Sequence, residues 1–497
     1  MARQRSRHPQ RRSPNGTIWS RLEKAGQDAG LTWKFGLFAA YLMVVFALGG
    51  GSRGDIYSLV FLRPVAVLVL GAGLLTIRGE HVRRNRWLFA IAGACVALPV
   101  IQLLPLPSSM VAGLAGRGIL AQVDAVAGVA PAWRPITLTP QLTWNALWSM
   151  TVPLAALVWG AQLPTRDHSR VLGLLLLIGL VSGALALVQL SGDPNGPLYF
   201  YDDSNKAEAV GLFANRNHQA LMLAMLFPML AIWAGADRQR KSRRQARPFG
   251  RLAVAMVFGL CLLPMILLTG SRSGLAEGLI GLAGAAFLWW RMGGRFAGSG
   301  EGEQGGMRFA PTKLLAGTVA LAGAVLVASA IVLGRAEALE RLLRSRAGDE
   351  MRFKILPLMR DMTIEYWPWG SGIGSFKPVY RMHEPDGLIG PAIMNHAHND
   401  LIEALLTGGV VAAAILAAAT GLWAVRAATL LRQPRAPGAD RLAECGVLMI
   451  LMLAIGSLGD YPLRGPALAC VLVCAGLWAA ARPEPATRDD PVSRPAA

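Results

Sequence analysis

Four short polar segments hold the residue types that do chemistry, and each borders a long apolar run. His396 and His398 flank one alanine. Asn399, Asp400 and Glu403 follow, with Glu403 about one helical turn beyond Asn399. Imidazoles titrate near neutral pH and suit general-base work. A His-x-His pair also occurs in zinc sites, but no cysteine stands near and the other histidines are scattered, so no metal site is read here. The plainer alternative is a pair of interfacial histidines capping a helix. Residues 211–218 place Asn215, Arg216, Asn217 and His218 at the start of an apolar run. Asparagine is a good N-cap and a helix N-terminus attracts anions, although a cap with an interfacial anchor explains the same residues. In 268–274, Arg272 lies in a very short linker between two apolar runs, among small neighbours whose N–H groups can approach an anion. Arginine suits bidentate phosphate binding; a tight turn with a snorkelling arginine is the alternative. Residues 460–466 add Arg464 next to Asp460, either another candidate cation or a simple salt bridge.

The elements that must position these groups are membrane spans. Of 497 residues, 53% are hydrophobic and 16% charged, where a globular chain carries about a quarter charged. Disorder, collagen-like repeats and a disulfide-stapled secreted fold are excluded. Cys95, Cys261, Cys445, Cys470 and Cys474 all lie in apolar runs and read as small buried hydrophobes. Crossing the hydrocarbon takes about 20 apolar residues. Twelve stretches qualify: 33–50, 56–77, 86–106, 145–163, 170–190, 219–236, 252–270, 275–292, 314–334, 401–425, 442–460 and 467–481. The expected fold is all-α, a polytopic membrane bundle of about twelve transmembrane helices with a long loop containing short helices.

The formal net charge is +19, and the basic residues are confined to stretches between spans. The N-terminal tail, 78–86, Arg166 with Arg170, 237–251, 291–313 and 426–441 each lie an even number of crossings from the N-terminus. All then share one side, the cytoplasmic one, and the basic balance needs no nucleic-acid partner. The expected division is a basic cytoplasmic tail over 1–32, a transmembrane domain over 33–481 and a disordered cytoplasmic tail over 482–497. The polar tail reads as no removable signal peptide. The four polar segments face outward, with two longer stretches, about 107–144 and 335–400. The second adds Arg341, Arg344, Arg346, Arg352, Lys354 and Arg360, nearly balanced by acids. Its glycine-rich turn, Gly370-Ser-Gly-Ile-Gly-Ser-Phe376, lacks the strand–helix context of a nucleotide site. Arg63, before Pro64 in the second span, shows no partner in the sequence.

Asn215-Arg-Asn217 before a span, residues 269–274, Gly370-x-Gly-x-Gly374, and His398-Asn399 followed by Gly408-Gly409 resemble the O-antigen ligase and O-antigen polymerase superfamily, over about 190–425. The resemblance implies a metal-independent, cofactor-free glycosyltransferase of the bacterial inner membrane, working at the periplasmic face. The donor would be a glycan on undecaprenyl pyrophosphate. The acceptor would be lipid A–core for a ligase, or a growing O-antigen or exopolysaccharide chain for a polymerase. Carried over, His398 matches the proposed base and Arg216 and Arg272 the arginines that hold pyrophosphate. His396 stays open as the base, and Asn215, Asn217, Asn399 and Arg464 are the further candidates for substrate binding. The competing reading is a secondary transporter or lipid-linked oligosaccharide flippase. Such proteins place polar sites near the midplane and show similar halves; here the candidates gather at one face and no repeat is evident.

Overall fold

Nothing in a bilayer core satisfies a peptide N–H or C=O outside a helix, so long apolar runs become helices. The computed structural model describes residues 32–129, 133–202, 204–239, 249–292, 354–389, 394–434 and 441–481. In chain order these form α1 (Trp33–Leu48), α2 (Ser58–Thr76), α3 (Gly79–Arg84), α4 (Arg86–Gln102), β1 (Pro105–Leu106), α5 (Ser108–Ala112), α6 (Gly118–Ala127), β2 (Arg134–Pro135), α7 (Pro140–Ser149), α8 (Thr151–Gly160) and α9 (Thr165–Ser191). Then follow α10 (Arg216–Gln239), α11 (Phe249–Leu268), α12 (Arg272–Arg291), α13 (Leu356–Glu365), α14 (Phe376–His383), α15 (Asp400–Leu431), α16 (Leu442–Gly459) and α17 (Pro466–Ala480). The only strands among the described residues are the antiparallel pair β1–β2.

Among the described residues seven helices, α2, α9, α10, α11, α12, α15 and α16, are long and apolar enough to cross a membrane, and α1, α4, α6 and α17 are shorter apolar helices. The chain is a polytopic helical membrane protein. The expected span at 145–163 is instead α7 and α8, interrupted at Met150. Pro153 accounts for the break, since its nitrogen cannot donate to the Ser149 carbonyl. The expected ninth span at 314–334, the tails 1–31 and 482–497, and Arg341, Arg344, Arg346 and Arg352 lie outside the described residues.

The helix α10 is the hub. An 18-residue window within its Arg216–Ala236 stretch is 83% buried, packed against α9, α11, α12 and α16. One apolar core runs from Leu42 and Val45 on α1 through Leu221 to Leu226 on α10, to Leu453 on α16 and Trp478 on α17. The loops at the start of α10 and after α1 and α16 meet at one end. Ala214 N donates to Gly50 O, Ala467 N to Gly49 O, and Gly50 N to the Tyr201 hydroxyl. At the opposite end Glu444 accepts from Arg291 and Arg441 at 2.9 and 2.8 Å, and Asp167 from Arg170 at 2.6 Å. Arg63 finds partners within the bundle: it donates to Asn145 Oδ1 and Ser149 Oγ at 2.6 and 2.7 Å.

A cap with its own small core covers the first end. Met359, Met362, Tyr366, Phe376, Tyr380, Ala397 and Leu406 pack together there. Its attachment is a break in α15 at Gly409 (φ 58°, ψ −145°). The freed groups bond to the glycine-rich turn: Val410 N to Pro368 O, Ser371 N to Leu406 O and Gly372 N to Thr407 O, at 2.8–2.9 Å. Only glycine fits, because a Cβ at 409 would collide with the Pro368 carbonyl. Arg117, fully buried, ties 107–144 to this turn by donating to the carbonyls of Ala115, Ile136 and Gly370.

Candidate active site

The site is built at three helix starts and one helix end. Asn215 caps α10, its Oδ1 accepting from Asn217 N at 2.8 Å. Ser271 caps α12 through Gly274 N, which leaves Arg272 as the first helical residue. Asn399 caps α15, accepting from Leu401 N and Ile402 N at 3.0 Å, and its Nδ2 donates to Leu458 O at the end of α16. A short-chain acceptor at a cap satisfies backbone donors that the helix leaves open.

Asp460, just past α16, is the centre. Its Oδ2 accepts from Asn215 Nδ2 at 3.0 Å and Asn217 Nδ2 at 2.7 Å; its Oδ1 accepts from Tyr461 N at 3.0 Å and lies 3.3 Å from His398 Nδ1. His218 Nε2 approaches the same carboxylate at 4.0 Å from within the bundle. Burial alone would raise the Asp460 pKa, but the bond from His398, the charge of His218 and the bond from Asn217 outweigh it and hold the carboxyl well below the usual range. The Asp460 side chain is 4% exposed and that of His398 32%. His398 therefore anchors Nδ1 on a buried carboxylate while its ring reaches solvent, and Nε2 has no hydrogen-bond partner among the described residues. Its backbone is left-handed, φ 51°, which is uncommon for a non-glycine residue and concentrates at functional sites.

His396 is held differently. Nδ1 lies 3.1 Å from Glu403 Oε1 and Nε2 lies 3.4 Å from Ser52 O, so both ring nitrogens face acceptors. Glu403 also accepts from Ala397 N at 2.9 Å and so fastens the histidine loop to α15. The Tyr461 ring is enclosed by three imidazoles, its centroid 4.7 Å from that of His396, 4.9 Å from His398 and 5.5 Å from His218.

The arginines divide into two groups. Arg464 does not pair with Asp460, as adjacency in sequence invites. The 3-10 turn Pro462–Arg464 turns it to Asp400 Oδ1 at 3.0 Å and Glu403 Oε1 at 3.4 Å. Burial disfavours its charge, yet these two carboxylates more than compensate and hold its pKa above the ordinary value. Arg216, one third exposed, is paired with Glu208. Its Nη1 lies 3.7 Å from where a Cβ of Gly270 would stand, so its head group hangs over the turn that starts α12 with the partly buried Arg272. Asp460 thus joins His398, Asn215 and Asn217 directly, while His396 reaches the group through the Tyr461 ring and Asn399 ties the start of α15 to Leu458 O at the end of α16. Arg216 and Arg272 edge this group and Arg464 braces it. Sequence reading missed Asp460 as the hub, Tyr461 as the common ring contact and Glu208 as the partner of Arg216. The one usable signal was an aspartate at the end of an apolar run, where an intramembrane or interfacial charge is costly.

Residues 256–417 match the family model of O-antigen ligase. The match takes in Arg272, the glycine-rich turn, the histidine loop and the Gly408-Gly409 break, and it supports a function of the O-antigen ligase or polymerase type. Arg216, Asp460 and Arg464 fall outside the matched residues, so the matched stretch meets the rest of the chain within the site. No curated protein matches the chain.

Proposed function

We propose that the protein is a membrane glycosyltransferase that moves a glycan from undecaprenyl pyrophosphate to an acceptor hydroxyl at the periplasmic face of the inner membrane. The acceptor is lipid A–core in a ligase, or a growing O-antigen or exopolysaccharide chain in a polymerase. The observation that carries the reading is the Asp460–His398 pair, with one ring nitrogen anchored on a buried carboxylate and the imidazole about a third exposed. In this reaction His398 Nε2 takes the proton of the acceptor hydroxyl as its oxygen bonds to the anomeric carbon. The bond from that carbon to the pyrophosphate breaks, and its electron pair leaves on the diphosphate. Asp460 orients His398 and stabilises the imidazolium. Arg216 and Arg272 meet the charge on the leaving group, each worth about 2–4 kcal/mol if aimed at the transition state. Guanidinium groups supply the positive charge, so the reading calls on no metal.

Glu208 occupies Arg216 in the resting arrangement, and the diphosphate must take over that partner on binding. His396, with both nitrogens facing acceptors, holds the loop rather than the proton. The test is His398→Ala followed by surface polysaccharide on a gel. The reading expects chains to be lost or strongly reduced with protein levels maintained; normal length and amount would remove His398 from the reaction. A deletion strain separates the two acceptor classes. Single repeats on carrier or core indicate a polymerase, and full-length polymer stranded on the carrier indicates a ligase.

A further inference from the structure

Away from the site, the cap carries one apolar face that none of the described residues covers. Every residue of α6 is exposed or half-exposed, with Val123 at 54% and Val126 at 91%. The helical period sets Ile119, Val123 and Val126 on one side, and Leu120 and Asp124 on the other with Arg117 just before the helix. The inner side is anchored at both ends. Arg117 is fixed by three carbonyls, and Asp124, the single charged residue of α6, is paired with Arg134 of β2. The outer side is therefore presented rigidly, and it carries no charge. A helix facing water would place polar residues there.

The exposed apolar surface also continues from the apolar helix α4. Exposed Ile101 lies in the last turn of α4, exposed Leu104 follows the helix, and β1 begins at the next residue. The strand β1 pairs with β2, and Arg134 of β2 holds α6. Trp133, 68% exposed, stands beside it, and tryptophan favours the membrane–water boundary. A ten-residue helix is about 15 Å long, so its stripe falls far short of the about 800 Å² per partner of a stable dimer. We infer that α6 is an interfacial helix, with Ile119, Val123 and Val126 sunk among the acyl chains of the leaflet at the cap end. It would fix the height of the cap, and of the glycine-rich turn tied to it through Arg117, against the lipid surface.

The test places a nitroxide at Val126→Cys, or at Val123→Cys should that variant fold poorly. It is done in the full chain with Cys95 and Cys261 changed to serine, in nanodiscs of phosphatidylethanolamine and phosphatidylglycerol. Asp193→Cys, in an exposed loop, is the water reference. Collisions with oxygen should exceed those with a water-soluble nickel complex at Val126 and Val123, and the order should reverse at Asp193. A nickel-favoured label at both α6 positions means a water-facing helix and overturns the inference. Protection from both reagents means a protein cover and overturns it. So does spin–spin broadening that disappears on dilution with unlabelled protein, which would mark a second copy.

Discussion

Asp460 gathers more of the site than any other residue. Two asparagine side chains, one backbone N–H and an imidazole converge on its two oxygens. Asp460→Asn keeps the shape but loses the charge that orients and supports His398. General-base help is worth about 10²–10⁴-fold, and a misdirected base forfeits much of it, so turnover should fall on the order of 10²-fold or more at unchanged donor binding. The same carboxylate makes folding acid-sensitive. Its folded pKa lies below the unfolded value of about 3.9, so its stabilisation is fully present above about pH 4 and is lost as pH falls through the folded pKa. Thermal unfolding in detergent between neutral pH and about pH 3 should show the midpoint dropping more steeply for the native protein than for Asp460→Asn. His398, Arg216 and Arg272 stood out as candidates by residue type and position beside apolar runs. Which histidine has a free nitrogen was not legible, because it depends on partners as remote as Ser52 for His396 and Asp460 for His398.

At the scale of elements, the cap is joined to the bundle by a helix that stops and restarts. The glycines at 370, 372 and 374 and the pair at 408–409 were visible as separate motifs. That one set closes the gap in the other depends on a fold that brings them together across the histidine loop, and no local pattern encodes that. Gly409→Ala would force a left-handed alanine, at about 1–2 kcal/mol, and push a methyl into the Pro368 carbonyl. The expected outcome is a lower unfolding midpoint together with lost activity, since the His398 loop leads into the same helix; a fully active Gly409→Ala would show the junction to be dispensable. Hydropathy alone makes α7–α8 look like one continuous span, because it is blind to the missing donor of the proline at 153.

Over the whole molecule, the bundle separates its charges. Arg216, Arg272 and Arg464 stand at the end where the histidines meet, while Arg291, Arg441 and Glu444 form a buried cluster at the other. Glu444 serves two buried guanidinium groups, so Glu444→Ala leaves both uncompensated and should cost about 3–5 kcal/mol. Folded yield and unfolding midpoint should fall, and what folds should retain activity, because the cluster is remote from His398. That the long apolar runs become helices was readable because lipid enforces it; of the twelve expected spans, seven described helices are long and apolar enough to cross a membrane. The gathering of four distant segments into one cluster was not readable, since it follows from how α10, α12, α15 and α16 pack. The reading also requires the histidine end to face the periplasm. A cysteine in place of the exposed Asp193 should react with an impermeant maleimide added outside spheroplasts; labelling only after lysis would reverse the orientation.

The most direct test of the central claim is a single-turnover transfer from an undecaprenyl-pyrophosphate glycan by purified protein in nanodiscs, native against His398→Ala. With His398 as the base, the chemical step should slow by about 10²–10⁴-fold while donor binding stays unchanged. A His398→Ala rate within a few fold of native would contradict it.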